Sequence, residues 1–204
     1  MIHVLSTRGR SALGLCVLAV ALVAGGCSGD DDSDSSSSAS TTVPVPKGFD
    51  LPQGVTLTKG GTVLATGKPA SVVYEPGDKA TSAVTVNVKA VRKGAIKDFA
   101  FFSLDAKSKA STPYYVDVSV RNDGPAGLGG AALPLFAHDS ANTIFPPNEL
   151  VGTFRPCRNQ TVPSSFLPGA SASLCLVFLV PKGTTLQTVD LQTGSSQDAI
   201  RWKP

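Results

Sequence analysis

Beyond residue 60, the chain consists mainly of short segments in which apolar and polar residues alternate. In residues 81–91, Val84, Val86 and Val88 fall on one face of a strand, and polar residues fall on the other. Residues 114–120 have the same period, which places Tyr115 on the outward face; the inward positions are Tyr114, Val116, Val118 and Val120. Both segments are therefore predicted as half-buried β-strands.

Further segments have the same β-branched or alternating composition, and Gly, Pro, Asn and Asp separate them. They are residues 62–66, 70–75, 131–137, 150–155, 172–180, 185–192 and 199–202. Residues 172–180 are almost continuously apolar, which predicts a central strand with Cys175 near the core. No long helical period is present. We therefore predict an all-β fold, a two-sheet sandwich over residues 61–204.

The N-terminus has the pattern of an export signal. Arg8 and Arg10 precede an apolar stretch, residues 12–24, which Gly25, Gly26 and Cys27 follow. The stretch is shorter than the roughly 20 apolar residues that span a bilayer as a helix. We predict a lipoprotein signal peptide over residues 1–26, cleaved before Cys27.

Small residues before Cys27 resemble a lipobox, in which the cysteine sulfur receives diacylglycerol. Lipoproteins usually have Leu three positions before the cysteine, where this chain has Ala24. Cys27 is the predicted lipidation site, and it would hold the protein at the outer face of the cell membrane. Ordinary cleavage after Gly26, which would release a soluble secreted protein, is the alternative.

Residues 27–60 are predicted to be a flexible tether. Residues 28–42 contain no large apolar side chain and cannot offset the entropy of ordering. Their four aspartates lack the glycine and the closing glutamate of an EF-hand calcium loop. The prediction is a solvated linker that connects the anchor to the domain.

The charge distribution disfavours a nucleic-acid partner. The whole chain carries +3, and removal of residues 1–26 leaves +1. From Val43 onward, 16 Lys and Arg oppose 11 Asp and Glu. These cations are scattered singly along the chain, with no run that resembles a phosphate-binding stripe.

Two cysteines remain in the mature domain once Cys16 and Cys27 are assigned to the signal and its end. An exported location favours a disulfide between these two, Cys157 and Cys175. In the chain-entropy model, such a bond stabilises a fold by about 3 kcal/mol. A pair of buried free thiols is the alternative.

The mature chain is poor in the side chains that catalysis and metal binding require. Its one histidine is His138 and it has no methionine, so copper and zinc sites lack ligands. His138, Asp139 and Ser140 are consecutive and cannot converge as a hydrolase triad, so a surface turn is predicted there. We predict no catalytic residue, no metal and no cofactor.

Two other segments have a functional and a structural interpretation. The glycine-rich residues 127–130 do not open a helix, so a mobile loop is favoured over a phosphate site. Residues 98–102 concentrate aromatic side chains beside Asp98. They could form an exposed binding patch, but burial in the sandwich is favoured.

The order of three segments, YYVDVSVRNDG, then PSSFLPGASASLCLVFLVP, then a terminal strand, resembles an Ig-like domain of unknown function found in many Gram-positive lipoproteins. The resemblance covers roughly residues 61–202. It includes a turn at Asn122, Asp123 and Gly124, and another at Pro168 and Gly169. It implies an immunoglobulin-like sandwich, similar to the secreted immunoprotective antigens of mycobacteria, and it implies no active site.

These features predict a noncatalytic lipoprotein whose sandwich loops bind a protein partner or ligand at the cell envelope. The identity of the ligand-binding residues is not fixed by the sequence. A structural envelope protein or surface antigen without a specific ligand is the alternative. An enzyme is the third interpretation, and it would depend on Asp98, Asp139 or Glu149.

Overall fold

The structure is a computed structural model that describes residue 43, residues 45–77 and residues 80–204. All of these belong to one unit, Ser40–Pro204. The predicted signal peptide, the predicted lipidation site Cys27 and residues 27–42 of the predicted tether lie outside the described residues.

Two sheets, antiparallel except for one strand pair, form most of the described fold, which confirms the predicted all-β architecture. The strands are β1 (Val63–Ala65), β2 (Pro69–Tyr74), β3 (Ser82–Lys93), β4 (Thr112–Asn122), β5 (Leu135–Asp139), β6 (Ile144–Phe145), β7 (Ser171–Val180), β8 (Leu186–Leu191) and β9 (Ile200–Lys203). One sheet has the order β2-β3-β4-β7 and the other β1-β9-β8-β5-β6. A single parallel pair among the described strands joins β1 to β9.

The main core lies between the two sheets and is built from the inward faces of their strands. Val84, Val86 and Val88 of β3 are buried as their alternation predicts, and so are Val116, Val118 and Val120 of β4. The facing sheet contributes Leu135, Val189, Leu191 and Trp202. Trp202 is fully buried and donates its indole N–H to the carbonyl of Lys68 at 2.8 Å. The bond satisfies the one polar group of the largest core side chain.

Most predicted strands are confirmed, with two exceptions and one omission. The prediction for residues 150–155 is wrong, because this segment is a turn-rich loop. The strand predicted over 131–137 begins only at Leu135. The two-residue strand β6 was not predicted, and neither were the short helices Ile96–Phe99 (3₁₀), Ala106–Lys109 (α1) and Ser196–Asp198 (3₁₀).

The apolar strand β7 is an edge strand, so its predicted central position is wrong. A connecting segment covers its free edge. The Asn148 N–H donates to the Val177 carbonyl at 2.7 Å, and the Asn148 side chain accepts the Leu179 N–H at 2.8 Å. Both faces of β7 are buried, one in the main core and one beneath a second apolar cluster. Two buried faces explain the continuous apolar sequence.

The last residues of the predicted tether lie against the sandwich. Thr58 exchanges two hydrogen bonds with Ser71 on the edge strand β2, at 2.8 and 3.0 Å. Gly61 donates to the carbonyl of Asp198 at 3.1 Å. The chain therefore enters the domain along the free edge of β2, which these contacts protect from further strand pairing.

Candidate interaction surface

A second apolar cluster lies on the outer face of the four-stranded sheet. Residues 94–111 and 146–160, which we call the outer lobe, cover the outward side chains of β4 and β7. The buried members of the cluster are Phe99, Tyr115, Phe154, Cys157, Cys175, Val177 and Leu179. Phe99 is at its centre, 2% exposed, with its ring stacked at 4.6 Å on Phe154. The lobe thus has a small core of its own, separate from the core between the sheets.

Local sequence explains the first half of the lobe. Ile96, Phe99 and Phe102 recur at every third position, which matches the period of the 3₁₀ helix over Ile96–Phe99 and directs all three toward the cluster. Asp105 then caps α1 by accepting the Ser108 N–H at 2.6 Å. Phe101 is out of phase with this period and points away from the cluster.

Tyr115 lies on the outward face of β4, as predicted, but it is not exposed to solvent. The outer lobe covers it to 3% exposure. Its hydroxyl donates to the Asp98 carboxylate at 2.9 Å, and the same carboxylate accepts the Ala95 N–H at 3.0 Å. These two donors, the backbone one first, lower the pKa of Asp98. Burial, and then the bond to Asp98, raises the pKa of Tyr115, so the phenol stays protonated.

A disulfide joins the second half of the lobe to the sheet. The structure pairs Cys157 with Cys175 of β7, in agreement with the predicted bond, and the two Cα atoms are 5.1 Å apart. Both cysteines are buried in the cluster. Arg92 braces the same place: its guanidinium forms two hydrogen bonds with Asp117, at 2.7 and 3.0 Å, and lies 5.5 Å above the Tyr115 ring. The disulfide and the apolar cluster therefore hold the lobe on the sheet, and Arg92 adds a hydrogen bond to the Pro156 carbonyl at 3.4 Å.

Two large apolar side chains protrude from this braced lobe. Phe101 is 99% exposed and Val151 is 96% exposed, whereas Phe99, Phe102 and Phe154 around them pack together. The predicted burial of the 98–102 aromatics in the sandwich is thus wrong in two respects. Phe99 is buried in the outer lobe, and Phe101 is in solvent. Phe101 follows Phe99 by two residues and Val151 precedes Phe154 by three, and the rings of Phe99 and Phe154 stack on each other. We call the two exposed side chains, Phe101 and Val151, the apolar tip.

The segments that carry the apolar tip also hold more cations than carboxylates. The lobe and the adjoining end of β3 carry seven exposed cations: Arg92, Lys93, Lys97, Lys107, Lys109, Arg155 and Arg158. The same residues carry three carboxylates, Asp98, Asp105 and Glu149, and a fourth, Asp117 of β4, pairs with Arg92. Three of these carboxylates already accept hydrogen bonds from the lobe or its sheet. Within the described residues, none of the cations except Arg92 takes part in an ion pair.

The side chains of His138, Asp139 and Ser140 have separate partners. Asp139 is buried and accepts the N–H groups of Ala141 and Thr143 at 3.0 and 2.9 Å, so it organises its own turn. The Ser140 hydroxyl accepts the Thr185 N–H at 3.0 Å. The structure therefore does not bring the three together as nucleophile, base and orienting acid.

The structure reveals a buried acid beside His138 that the sequence analysis missed. Asp190 is fully buried on β8, with one carboxylate oxygen 3.5 Å from His138 Nδ1 and 3.4 Å from Arg201 Nε. Thr188 donates to its other oxygen at 2.5 Å, and His138 Nε2 lies 2.8 Å from Asn142 Oδ1. Both ring nitrogens thus have polar neighbours, and the buried Asp190 carboxylate has the Arg201 guanidinium beside it. Only strand pairing places Asp190 beside His138, so no local sequence signal could have found it.

Residues 127–130, predicted as a mobile loop, form backbone hydrogen bonds with residues 163–166. Leu128 is buried and donates its N–H to the Phe166 carbonyl at 2.9 Å, and Gly130 donates to Pro163 at 3.2 Å. The predicted turn after β4 is held by Asn122, which accepts the Ser82 hydroxyl at 2.6 Å and donates to the Ala126 carbonyl at 2.7 Å. This end of the sandwich is consequently built from interlocked turns.

The described residues form several clefts of ligand size. One, of about 410 Å³, lies beside Leu57, Val72 and Ile200; another, of about 790 Å³, lies between the outer lobe and β5; a third, of about 610 Å³, lies beside Tyr74 and Gly129. Among the residues that the structure describes, no three His, Cys, Asp or Glu side chains gather as metal ligands. In the same part of the chain, no helix has the length and apolar character to cross a membrane.

No protein-family model, no curated protein and no solved structure matches this chain. The resemblance to an Ig-like lipoprotein domain therefore stays a prediction, and function is inferred from the geometry of the outer lobe.

Proposed function

We propose that this chain is a lipid-anchored lipoprotein of the extracytoplasmic face of the cell membrane. The basis is the sequence of residues 1–27, a charged start, an apolar stretch and a cysteine after small residues. Acyl chains on Cys27 would attach the mature protein to the membrane, and residues after Cys27 would connect the anchor to the sandwich. The disulfide between Cys157 and Cys175 is consistent with an oxidising, exported location.

The sandwich belongs, in this proposal, to the immunoglobulin-like architecture. Three features support it: the parallel pairing of β1 with β9, the neighbouring strands β5, β8 and β9 in one sheet, and β4 beside β7 in the other. In the lettering of immunoglobulin domains, β5, β8 and β9 would be strands C, F and G, and β4 and β7 would be strands B and E of the facing sheet. The disulfide departs from the inter-sheet B-F bond of antibody domains, because it fixes the outer lobe to β7.

The proposed role is noncatalytic binding of a partner at the cell envelope through the outer lobe. The observation that carries it is the apolar tip, because Phe101 and Val151 stand almost fully in solvent on a lobe that a disulfide braces. A rigid support reduces the entropy lost when exposed side chains are fixed in a complex. Aromatic side chains on such supports are frequent anchors of interfaces.

Photo-crosslinking in the native membrane tests this role. A photoreactive amino acid replaces Phe101 or Val151 in the full-length chain, and a matched probe replaces Val63, which is half-exposed on the opposite sheet. The expected result is recurrent adducts to one class of partner, protein or lipid, from positions 101 and 151 and only diffuse adducts from position 63. Equally diffuse adducts from all three positions would contradict the role and favour the alternative, a structural envelope protein without a specific contact.

A further inference from the structure

We propose that the partner of the outer lobe is an anionic phospholipid surface, with the apolar tip inserted among the headgroups and the exposed cations of the same lobe on lipid phosphates. This inference rests on the proposed function, which supplies the contact role of the lobe. It adds the chemistry of the partner.

The apolar tip has the form of an interfacial anchor. Phe101 precedes Phe102, and Val151 follows Leu150; Phe102 and Leu150 both pack against the lobe cluster. The two protruding side chains therefore belong to segments whose neighbouring residues are fixed in the lobe. Two separate side chains are too little area for a stable protein–protein interface, which buries on the order of 800 Å² on each partner. They suffice for shallow insertion, in which apolar groups enter the boundary between headgroups and acyl chains.

Charge complementarity selects an anionic surface. Residues 92–111 and 146–160 hold seven cations and three carboxylates, and Asp117, the ion-pair partner of Arg92, brings their net charge to +3. Residues 43–204 as a whole carry 16 cations and 11 carboxylates, so more than half of their excess positive charge lies at this one place. Lys97 lies two residues before the buried Phe99, and Lys107 and Lys109 belong to α1. A lysine or arginine near an anionic bilayer strengthens binding by roughly fivefold in equilibrium constant.

The carboxylates of the lobe are occupied by structural bonds. Asp98 accepts hydrogen bonds from Ala95 and Tyr115, Asp105 caps α1, and Asp117 pairs with Arg92. Glu149 is the one carboxylate for which the described residues show no such bond. The unpaired charges of the lobe are thus almost all positive. Such a surface attracts phosphate groups at low ionic strength.

Tryptophan fluorescence can test docking in the lipidated protein itself. The single native tryptophan, Trp202, is fully buried in the sandwich and reports only on folding. Phe101→Trp adds a second indole at the apolar tip, and Val63→Trp adds one to the opposite sheet as a control. Each lipidated chain is reconstituted into phosphatidylcholine vesicles, with or without phosphatidylglycerol, that carry brominated acyl chains as a quencher.

We expect quenching and a blue shift of the indole at position 101 only in vesicles that contain phosphatidylglycerol, with loss of both at high salt. The indole at position 63 should show neither. Replacing Lys97, Lys107 and Lys109 by Gln should lower the ratio of docked to undocked lobe on the order of a hundredfold. An unquenched indole at position 101 in anionic vesicles, with Trp202 emission still native, would overturn the proposal.

The two proposals fail in distinguishable ways. Recurrent adducts from position 101 to a protein, without quenching in anionic vesicles, would leave the contact role intact and refute the lipid partner. Diffuse adducts together with absence of quenching would refute both.

Discussion

Replacing one of two neighbouring phenylalanines should unfold the outer lobe, while replacing the other should not. Phe99 is 2% exposed at the centre of the lobe cluster, and Phe101, two residues later, is 99% exposed. A buried Phe→Ala change costs about 3–5 kcal/mol, from lost transfer free energy and the cavity that remains. Because Phe99 contacts Phe154, Phe102 and Tyr115, we expect Phe99→Ala to lower the free energy of unfolding by about 3 kcal/mol.

The matched variant Phe101→Ala should change the free energy of unfolding by less than about 0.5 kcal/mol, because the side chain buries no area to lose. Urea unfolding followed by Trp202 fluorescence measures the stability of the sandwich, since this tryptophan is fully buried in its core. Amide exchange over residues 96–111 measures the lobe directly. Equal losses from the two variants would refute the assignment of Phe99 to the lobe core and Phe101 to the surface.

Three further predictions concern the bonds that hold the fold. Replacing Cys157 and Cys175 together by Ser should cost about 3 kcal/mol, and urea unfolding of the variant should match that of the reduced wild type. Asn122→Ala should lower the free energy of unfolding by about 2 kcal/mol, because it leaves the fully buried Ser82 hydroxyl without its acceptor. The control Leu167→Ala, on the nearby surface, should leave the free energy of unfolding nearly unchanged. The two donors lower the pKa of Asp98 in the folded protein. The ionised carboxylate therefore stabilises the fold at pH values above its ordinary pKa of about 3.9. This stabilisation is lost as the pH falls through the lower pKa of the folded state. Carboxyl NMR titration should show the Asp98 pKa closer to ordinary in Tyr115→Phe, and an unchanged titration would contradict the bond.

Alternation along the strands predicts the sandwich because each buried face imposes a period of two on its strand. The valines of β3 and β4 show this period and are buried as expected. The two long strands pair with each other through most of their length, as consecutive alternating segments commonly do. The fold class therefore follows from local pattern.

The outer lobe does not follow from local pattern, since its existence depends on which segment covers β7. Residues 150–155 have the composition of a strand, yet Phe154 packs on Phe99 and Val151 stays in solvent. The conformation of residues 150–155 is set by contacts with residues distant in sequence, such as Phe99, and by the nearby disulfide to Cys175. One local signal was available: the spacing of Ile96, Phe99 and Phe102 by three leaves Phe101 on the other side.

The most direct test of the contact role is hydroxyl-radical footprinting of Phe101 in isolated protein and in native membranes. In the purified, detergent-free domain, Phe101 should oxidise rapidly and Phe99 slowly, as their exposures require. In native membranes, we expect strong protection of Phe101 while the half-exposed Val63 oxidises at its original rate. Equal oxidation of Phe101 in both settings would show that the apolar tip faces solvent in the cell envelope, and it would contradict the account.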